Sequence, residues 1–146
     1  MTDVLTRDLV VVPGTARTKD AAIREAGALL VDVGAVTPAY VDAMAERERL
    51  VSTYMGSQLA IPHGTDEAKS QILRSALCVI RYDEPIEWGP GQPVRVVVGI
   101  AGIGEEHLSI LSRIALIFAD PAQVDRVLEV PGAAELYGLI EQVNAA

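Results

Sequence analysis

Only two histidines occur in the chain, His63 and His107, and both stand where chemistry is easily housed. Each follows a stretch that reads as a core strand and sits beside a turn containing glycine. In layered sheets, ligand sites gather beyond strand ends, and backbone N–H groups exposed at turns or helix N-termini hold anionic oxygens. Pro62 stiffens the chain on one side of His63 and Gly64 frees it on the other, a setting that aims a ring and lets a second surface approach closely. That suits a nucleophile that must meet another protein. Position alone leaves two readings of His63 open, a nucleophile or a loop histidine that only hydrogen-bonds its surroundings, since a group with a reference pKa of about 6.5 serves many roles. His107, after Gly104-Glu105-Glu106, reads as a second site residue or as an exposed residue in the first turn of a helix.

Other chemistries find less support. A zinc site needs three or four His, Cys or carboxylate ligands, and no pattern such as H-E-x-x-H is present. Gly99-Ile100-Ala101-Gly102-Ile103-Gly104 departs from the G-x-G-x-x-G order of dinucleotide loops, and there is no Walker A lysine, so neither metal nor cofactor is expected. A Ser-His-Asp hydrolase would need a nucleophile in its usual G-x-S-x-G elbow, which the chain lacks. Cys78 is the single cysteine. It excludes an internal disulfide, and within Ala76-Leu77-Cys78-Val79-Ile80 it reads as a buried, inert thiol in a reducing compartment.

The elements that must position these residues are legible as apolar patterns. Leu9-Val10-Val11-Val12 reads as a strand or extended lead-in ended by a Pro13-Gly14 turn. A helix follows, capped by Thr18, with Ile23, Ala26, Leu30 and Val33 as its apolar stripe and Gly34 closing it in a left-handed conformation. Thr37 and Pro38 open a second helix running to about Arg49, with Val41, Met44 and Ala45 facing inward, and the two helices pack as a pair. Residues 57 to 62 read as a short strand that Pro62 ends or pushes to an edge, which sets His63 at a strand end. Asp66 to Gln71 reads as a helical turn, Ser75 to Arg81 as a strand, Asp83 to Pro93 as a turn-rich connection, and Val94 to Ala101 as a strand buried on both faces. Gly102-Ile103-Gly104 then opens a helix with Leu108, Leu111, Ala115 and Phe118 as its stripe. Asp120-Pro121 and Gly132-Ala133 begin two more, anchored by Leu128, Leu136 and Ile140. Strands and helices intermix, so the class is an α/β or α+β layered domain.

A chain of 146 residues, half of them apolar, suits a single domain spanning 1–146, with no repeat or linker in view. The longest nearly apolar stretch, Val96 to Gly104, falls well short of the about 20 residues a transmembrane helix needs. Met1 to Asp8 has neither a basic n-region nor an apolar h-region. The expectation is a cytoplasmic chain with no direct membrane insertion. A net charge of −8 argues against nucleic-acid binding and would suit a basic protein partner.

Three runs of residues are more specific: Glu46-Arg47-Glu48-Arg49-Leu50-Val51-Ser52-Thr53-Tyr54-Met55-Gly56, Leu59-Ala60-Ile61-Pro62-His63-Gly64-Thr65, and Glu67-Ala68-Lys69. They resemble the mannitol-type enzyme IIA family of bacterial sugar phosphotransferase systems. The similarity continues through Val97-Val98-Gly99-Ile100-Ala101 and Glu106-His107-Leu108, and so covers nearly the entire chain. The Ile-Pro-His-Gly-Thr core with its upstream Arg-Glu and Thr-Tyr-x-Gly is the specific part, because Ile-Pro-His alone is shared with fructose and nitrogen-regulatory relatives.

The resemblance implies a three-layer α/β sandwich with a mixed central β-sheet flanked by helices. It also implies that His63 accepts a phosphoryl group, originating in phosphoenolpyruvate, from the carrier HPr and passes it to an enzyme IIB or IIBC component. His107 matches the family's second active-site histidine and Arg47 its active-site arginine. In those roles His107 would donate a hydrogen bond to the phosphoryl oxygens, Arg47 would add charge or orient the site, and turn amides at Gly64 and Thr65 would share the load. Such transfer needs positioning and charge stabilisation more than covalent help, so a small domain without metal suffices. Leu59, Ile61 and the Val51 to Met55 segment read either as an apolar docking rim or as core. Mannitol is the expected sugar, although the membrane component and not the IIA component selects it. Two other functions stay open: a regulatory IIA-like module whose phosphorylation state is read by a transcription factor, transporter or kinase, and an unrelated hydrolase or ligand-binding domain.

Overall fold

The computed structural model describes residues 3–144; Met1 and Thr2, part of the stretch read for a leader, lie outside the described residues. A short strand, Val10–Val11 (β1), leads into two helices, Lys19–Asp32 (α1) and Pro38–Leu50 (α2). The Thr18 hydroxyl accepts from the Ala21 N–H and caps α1, and Gly34 takes φ +74° just beyond its end, as the local pattern predicts. Ile23, Ala26 and Leu30 are buried along one side. Thr37 does precede α2, but its hydroxyl bonds the Gln71 side chain at 2.5 Å and makes no side-chain cap. The buried side of α2 is Tyr40, Met44, Ala45 and Glu48, while Val41 is only half-buried.

The strand expected over 57–62 is shorter and belongs to a hairpin. Tyr54–Gly56 (β2) and Leu59–Ala60 (β3) pair antiparallel, with Ser57 and Gln58 between them at φ 53° and 61°. A two-residue connection between right-twisted strands calls for positive φ at both positions, and this pairing overrides the reluctance of Ser and Gln to adopt it. A second difference concerns Ala76–Glu87 (β4), which runs on past Arg81 through residues expected to turn. Its pairing with Pro93–Ala101 (β5) shifts register between Arg81 and Ile86. Burial of Ile86 and Trp88 holds the strand to the sheet, and the irregularity lets exposed Pro85 do without a ladder donor.

Three helices complete the chain: Glu106–Phe118 (α3), Pro121–Glu129 (α4) and Ala133–Ile140 (α5). The buried line of α3 is Ile110, Ile114 and Ile117 with Phe118, one position away from the stripe expected, and Leu108 is 67% exposed. Ile110, Leu111, Ile114, Ala115, Ile117 and Phe118 give α3 an apolar arc so wide that spacing does not choose which line of it meets the sheet.

The five strands lie in the order β1-β4-β5-β3-β2. β1 with β4 and β3 with β5 are parallel pairs, and β4 with β5 and β2 with β3 are antiparallel, so the sheet is mixed. Alternation along β4 shows the layers. Cys78 donates to the Ala26 carbonyl of α1 at 3.3 Å and Tyr82 donates to Glu25 at 2.6 Å, whereas Arg81, on the opposite face, donates to the Val127 and Val130 carbonyls at the end of α4. The Cys78 thiol is fully buried and its pKa is pushed up to about 12 by burial, which makes it a core residue.

Candidate functional site

The site forms where β3 and β5 end side by side. β3 is an interior strand, and Pro62 lies just past its end, so the missing proline donor falls outside the ladder. His63 forms one further bridge to Ile100, and the Ile100 N–H donates to the Pro62 carbonyl at 3.0 Å. The half-buried His63 ring has its Nδ1 2.9 Å from the Ile61 carbonyl. A carbonyl can only accept, so Nδ1 carries the proton and Nε2 keeps a free lone pair. Burial lowers the His63 pKa below its ordinary value and the Arg47 charge lowers it further, against the Ile61 hydrogen bond, Glu48 and Asp66. At neutral pH the ring is an uncharged nucleophile.

His107 arrives from the other strand. β5 ends at Ala101, and Gly102 packs so closely under α3 that a Cβ there would lie 2.4 Å from the His107 Cα. With Gly104 turning the chain at φ +58°, the first turn of α3 sets the two imidazoles 5.1 Å apart between ring centroids, inclined at 58°. Burial lowers the His107 pKa first, followed by the neighbouring His63 and Lys69, with Asp66 opposing.

Both rings face an open cleft of about 500 Å³ that Arg47, Thr65 and Lys69 also line. Arg47 donates to the Val51 carbonyl at 2.6 Å, and Lys69 pairs loosely with Asp66 at 3.7 Å. Gly64 and Thr65 stand at the corner as expected, yet the Gly64 N–H donates to the Tyr40 hydroxyl at 2.9 Å. Among the described residues, the Thr65 amide and hydroxyl have no hydrogen-bond partner. No cluster of three or more His, Cys, Asp or Glu groups able to hold a metal ion occurs among the described residues.

Three contributors escaped the sequence reading. Tyr40 and Lys69 line the cleft, and Tyr40, Met44 and Arg47 stand at the i, i+4, i+7 spacing of one helical face, a signal that points Tyr40 toward the site. Glu48, only 5% exposed, accepts from the Thr53 N–H at 3.1 Å, the Thr53 hydroxyl at 2.5 Å and the Trp88 indole at 3.1 Å, with Lys19 3.7 Å away. It ties the chain after Arg47 to β2 and to the far turn of the sheet. Of the apolar rim, Val51 and Met55 are exposed at 64% and 52%, and Leu50 adds to them at 68%, whereas Leu59 and Ile61 are core.

An imidazole nitrogen with a free lone pair, a second imidazole within reach and two cations lining an open cleft match what in-line phosphoryl transfer needs. Residues 3–143 match the family described as "Phosphoenolpyruvate-dependent sugar phosphotransferase system, EIIA 2". The chain belongs to this family. It is 49% identical over 141 residues to the mannitol-specific phosphotransferase enzyme IIA component of Halalkalibacterium halodurans, covering 97% of each chain. To the corresponding component of Bacillus subtilis it is 41% identical over 141 residues, covering 97% of this chain and 99% of the relative. Among solved structures, the crystal structure of the mannitol IIA of Escherichia coli superposes with a TM-score of 0.86 at 34% identity, covering 93% of this chain and 98% of that one. The E. coli mannitol enzyme IIA in complex with phosphorylated enzyme IIB gives 0.87 at 33% identity, covering 93% and 96%. This EIIA 2 member therefore has the three-layer α/β architecture of its family, with the two histidines at the C-terminal ends of neighbouring parallel strands.

Proposed function

We propose that this chain is the phosphocarrier of a sugar phosphotransferase uptake system, with His63 as the residue that carries the phosphoryl group. Phosphorylated HPr is the donor and an enzyme IIB component the acceptor, the latter supported by the solved complex of the E. coli relative with phosphorylated enzyme IIB. The names of the relatives support mannitol as the sugar served. The single observation that carries the site assignment is the 2.9 Å contact of His63 Nδ1 with the Ile61 carbonyl, which leaves Nε2 as the nucleophile at the mouth of the cleft.

In the accepting step the Nε2 lone pair attacks phosphorus in line, the bond from phosphorus to the donor breaks, and its electron pair stays with the donor. Delivery to enzyme IIB is the same displacement with His63 as leaving group. Proton inventory favours this atom: the proton stays on Nδ1, which goes on donating it to the Ile61 carbonyl, so the phosphorylated ring keeps its hydrogen bond. His107 donates to an equatorial oxygen, and Arg47 and Lys69 supply positive charge in a chain of net charge −8. Thr65 offers a free amide at the same corner, and Gly64 acts through its tie to Tyr40.

Exposed Leu50, Val51 and Met55 form the apolar part of the docking rim, and the acidic remainder of the surface steers a basic partner face. We read the chain as one domain over 1–146 working in the cytoplasm, where HPr and enzyme IIB meet it; no helix among the described residues is long and apolar enough to cross a membrane.

Reconstitution with enzyme I, HPr and phosphoenolpyruvate tests the proposal. Mass spectrometry should find an acid-labile, base-stable adduct on His63, and NMR should place phosphorus on Nε2. Label on any other residue would remove the assignment. The association rate with phosphorylated HPr should also fall as salt rises; an unchanged rate would remove the steering role.

A further inference from the structure

Continuing the parallel pairing of β3 with β5 through the His63–Ile100 bridge would bond the Gly64 N–H directly to the Ile100 carbonyl, next to the existing bond from the Ile100 N–H to the Pro62 carbonyl at 3.0 Å. The Tyr40 hydroxyl occupies that rung. It accepts from the Gly64 N–H at 2.9 Å and donates to the Ile100 carbonyl at 2.8 Å. The side chain reaches there from α2, is 2% exposed, and has its burial and both hydrogen bonds satisfied at this one point. Burial raises the phenol pKa, against the Gly64 hydrogen bond, so the hydroxyl keeps the proton it donates. The ring also passes under the corner: a Cβ on Gly64 would lie 2.5 Å from the Tyr40 Cε1, so only glycine admits it.

We propose that Tyr40 is a positioning residue for phosphoryl transfer, a hydroxyl wedge that parts the chain from β5 immediately after His63 and holds the imidazole at its attack angle. The inference rests on the phosphocarrier reading of His63. Inserting one oxygen atom into the rung widens the gap between Gly64 and Ile100, and the chain turns out of the sheet into the cleft. Without that oxygen, Gly64 either closes onto Ile100 or leaves two buried polar groups unpaired. Both outcomes shift the corner, and the His63 ring moves with it.

Tyr40→Phe removes only the oxygen. Single-turnover transfer from phosphorylated HPr should slow roughly 10- to 100-fold, as small misplacements of a reacting group do. The concentration of HPr giving half the maximal rate should stay the same, because Tyr40 is not part of the exposed rim. Nitrogen NMR should show His63 losing its single Nδ1–H form, a change that a purely structural tyrosine would not produce. An unaltered transfer rate in the folded variant, or a loss carried wholly by weaker HPr binding, overturns the proposal. If the variant fails to fold, amide exchange in the unsubstituted protein decides: slow exchange at Gly64 supports the wedge, and exchange at the open-chain rate overturns it. Absence of label on the unsubstituted protein itself would instead bring down the carrier reading, and the inference with it, before any substitution is compared.

Discussion

The two loops that deliver imidazoles to the cleft are both anchored, but they hold their rings differently. The corner after β3 is tied at successive residues: Pro62 by Ile100, the His63 ring by Ile61, Gly64 by Tyr40. The loop after β5 is anchored by the Ile103 N–H donating to the Ser75 hydroxyl at 2.9 Å, but the His107 ring that it presents from the first turn of α3 has no hydrogen bond among the described residues, and Glu105 provides no side-chain cap. The difference fits the roles proposed above for the two rings. A nucleophile must commit one nitrogen to phosphorus and so needs a fixed tautomer, whereas a group that stabilises a travelling charge serves better if its ring can turn to meet it.

Substitutions can break or sharpen this contrast. The largest effect is expected from His63→Ala, which should abolish labelling by phosphorylated HPr altogether; any persistent stoichiometric label would show that the tied corner is not the carrier. His107→Ala should still accept label, but about 10²- to 10³-fold more slowly in stopped-flow transfer, the usual cost of one missing donor to a developing charge. His107→Gln, which keeps a donor, should recover part of that loss, and a Gln variant as slow as Ala would argue against a hydrogen-bonding role.

Glu48→Gln loosens the support under the Arg47 side without touching either ring. Its carboxylate accepts from Thr53 and Trp88 while buried, so chemical denaturation should report a loss of about 1–3 kcal/mol. A variant as stable as the parent would deny the hub.

The smallest effect concerns pH. Both imidazoles have pKa values below the ordinary value of about 6.5, mainly through burial, so the neutral nucleophile persists below that pH. The transfer rate should therefore reach half its plateau below pH 6.5 as pH falls. Stability should follow the same sign. The unfolded chain binds more protons in this window, so the contribution of the two rings is complete above pH 6.5 and declines as pH falls toward their folded values. A half-maximum above 6.5 would contradict the burial of His63.

Much of the site was legible because its chemistry is local in the chain. Pro62, His63 and Gly64 are consecutive, and the strand ends that flank them announce themselves through short apolar runs. Failures came where two segments negotiate. Ser57 and Gln58 turn because β2 and β3 pair, not because either residue favours positive φ. The segment from Asp83 stays in β4 because Ile86 and Trp88 have a core to fill. Leu108 is exposed because α3 offers several apolar lines and the sheet accepts only one.

Local residue order, then, was enough to single out the candidates: an imidazole between a rigid and a permissive neighbour, a second one opening a helix, and, through the family resemblance, an arginine near the end of another. Distances between them were decided elsewhere. His63 and His107 are far apart in sequence and meet only because β3 and β5 lie parallel. Tyr40 acquires its place only once α2 packs over the ends of those strands. Backbone preference acts between neighbours in the chain, but the tautomer of His63 and the gap beside it depend on partners that only packing brings within hydrogen-bond reach.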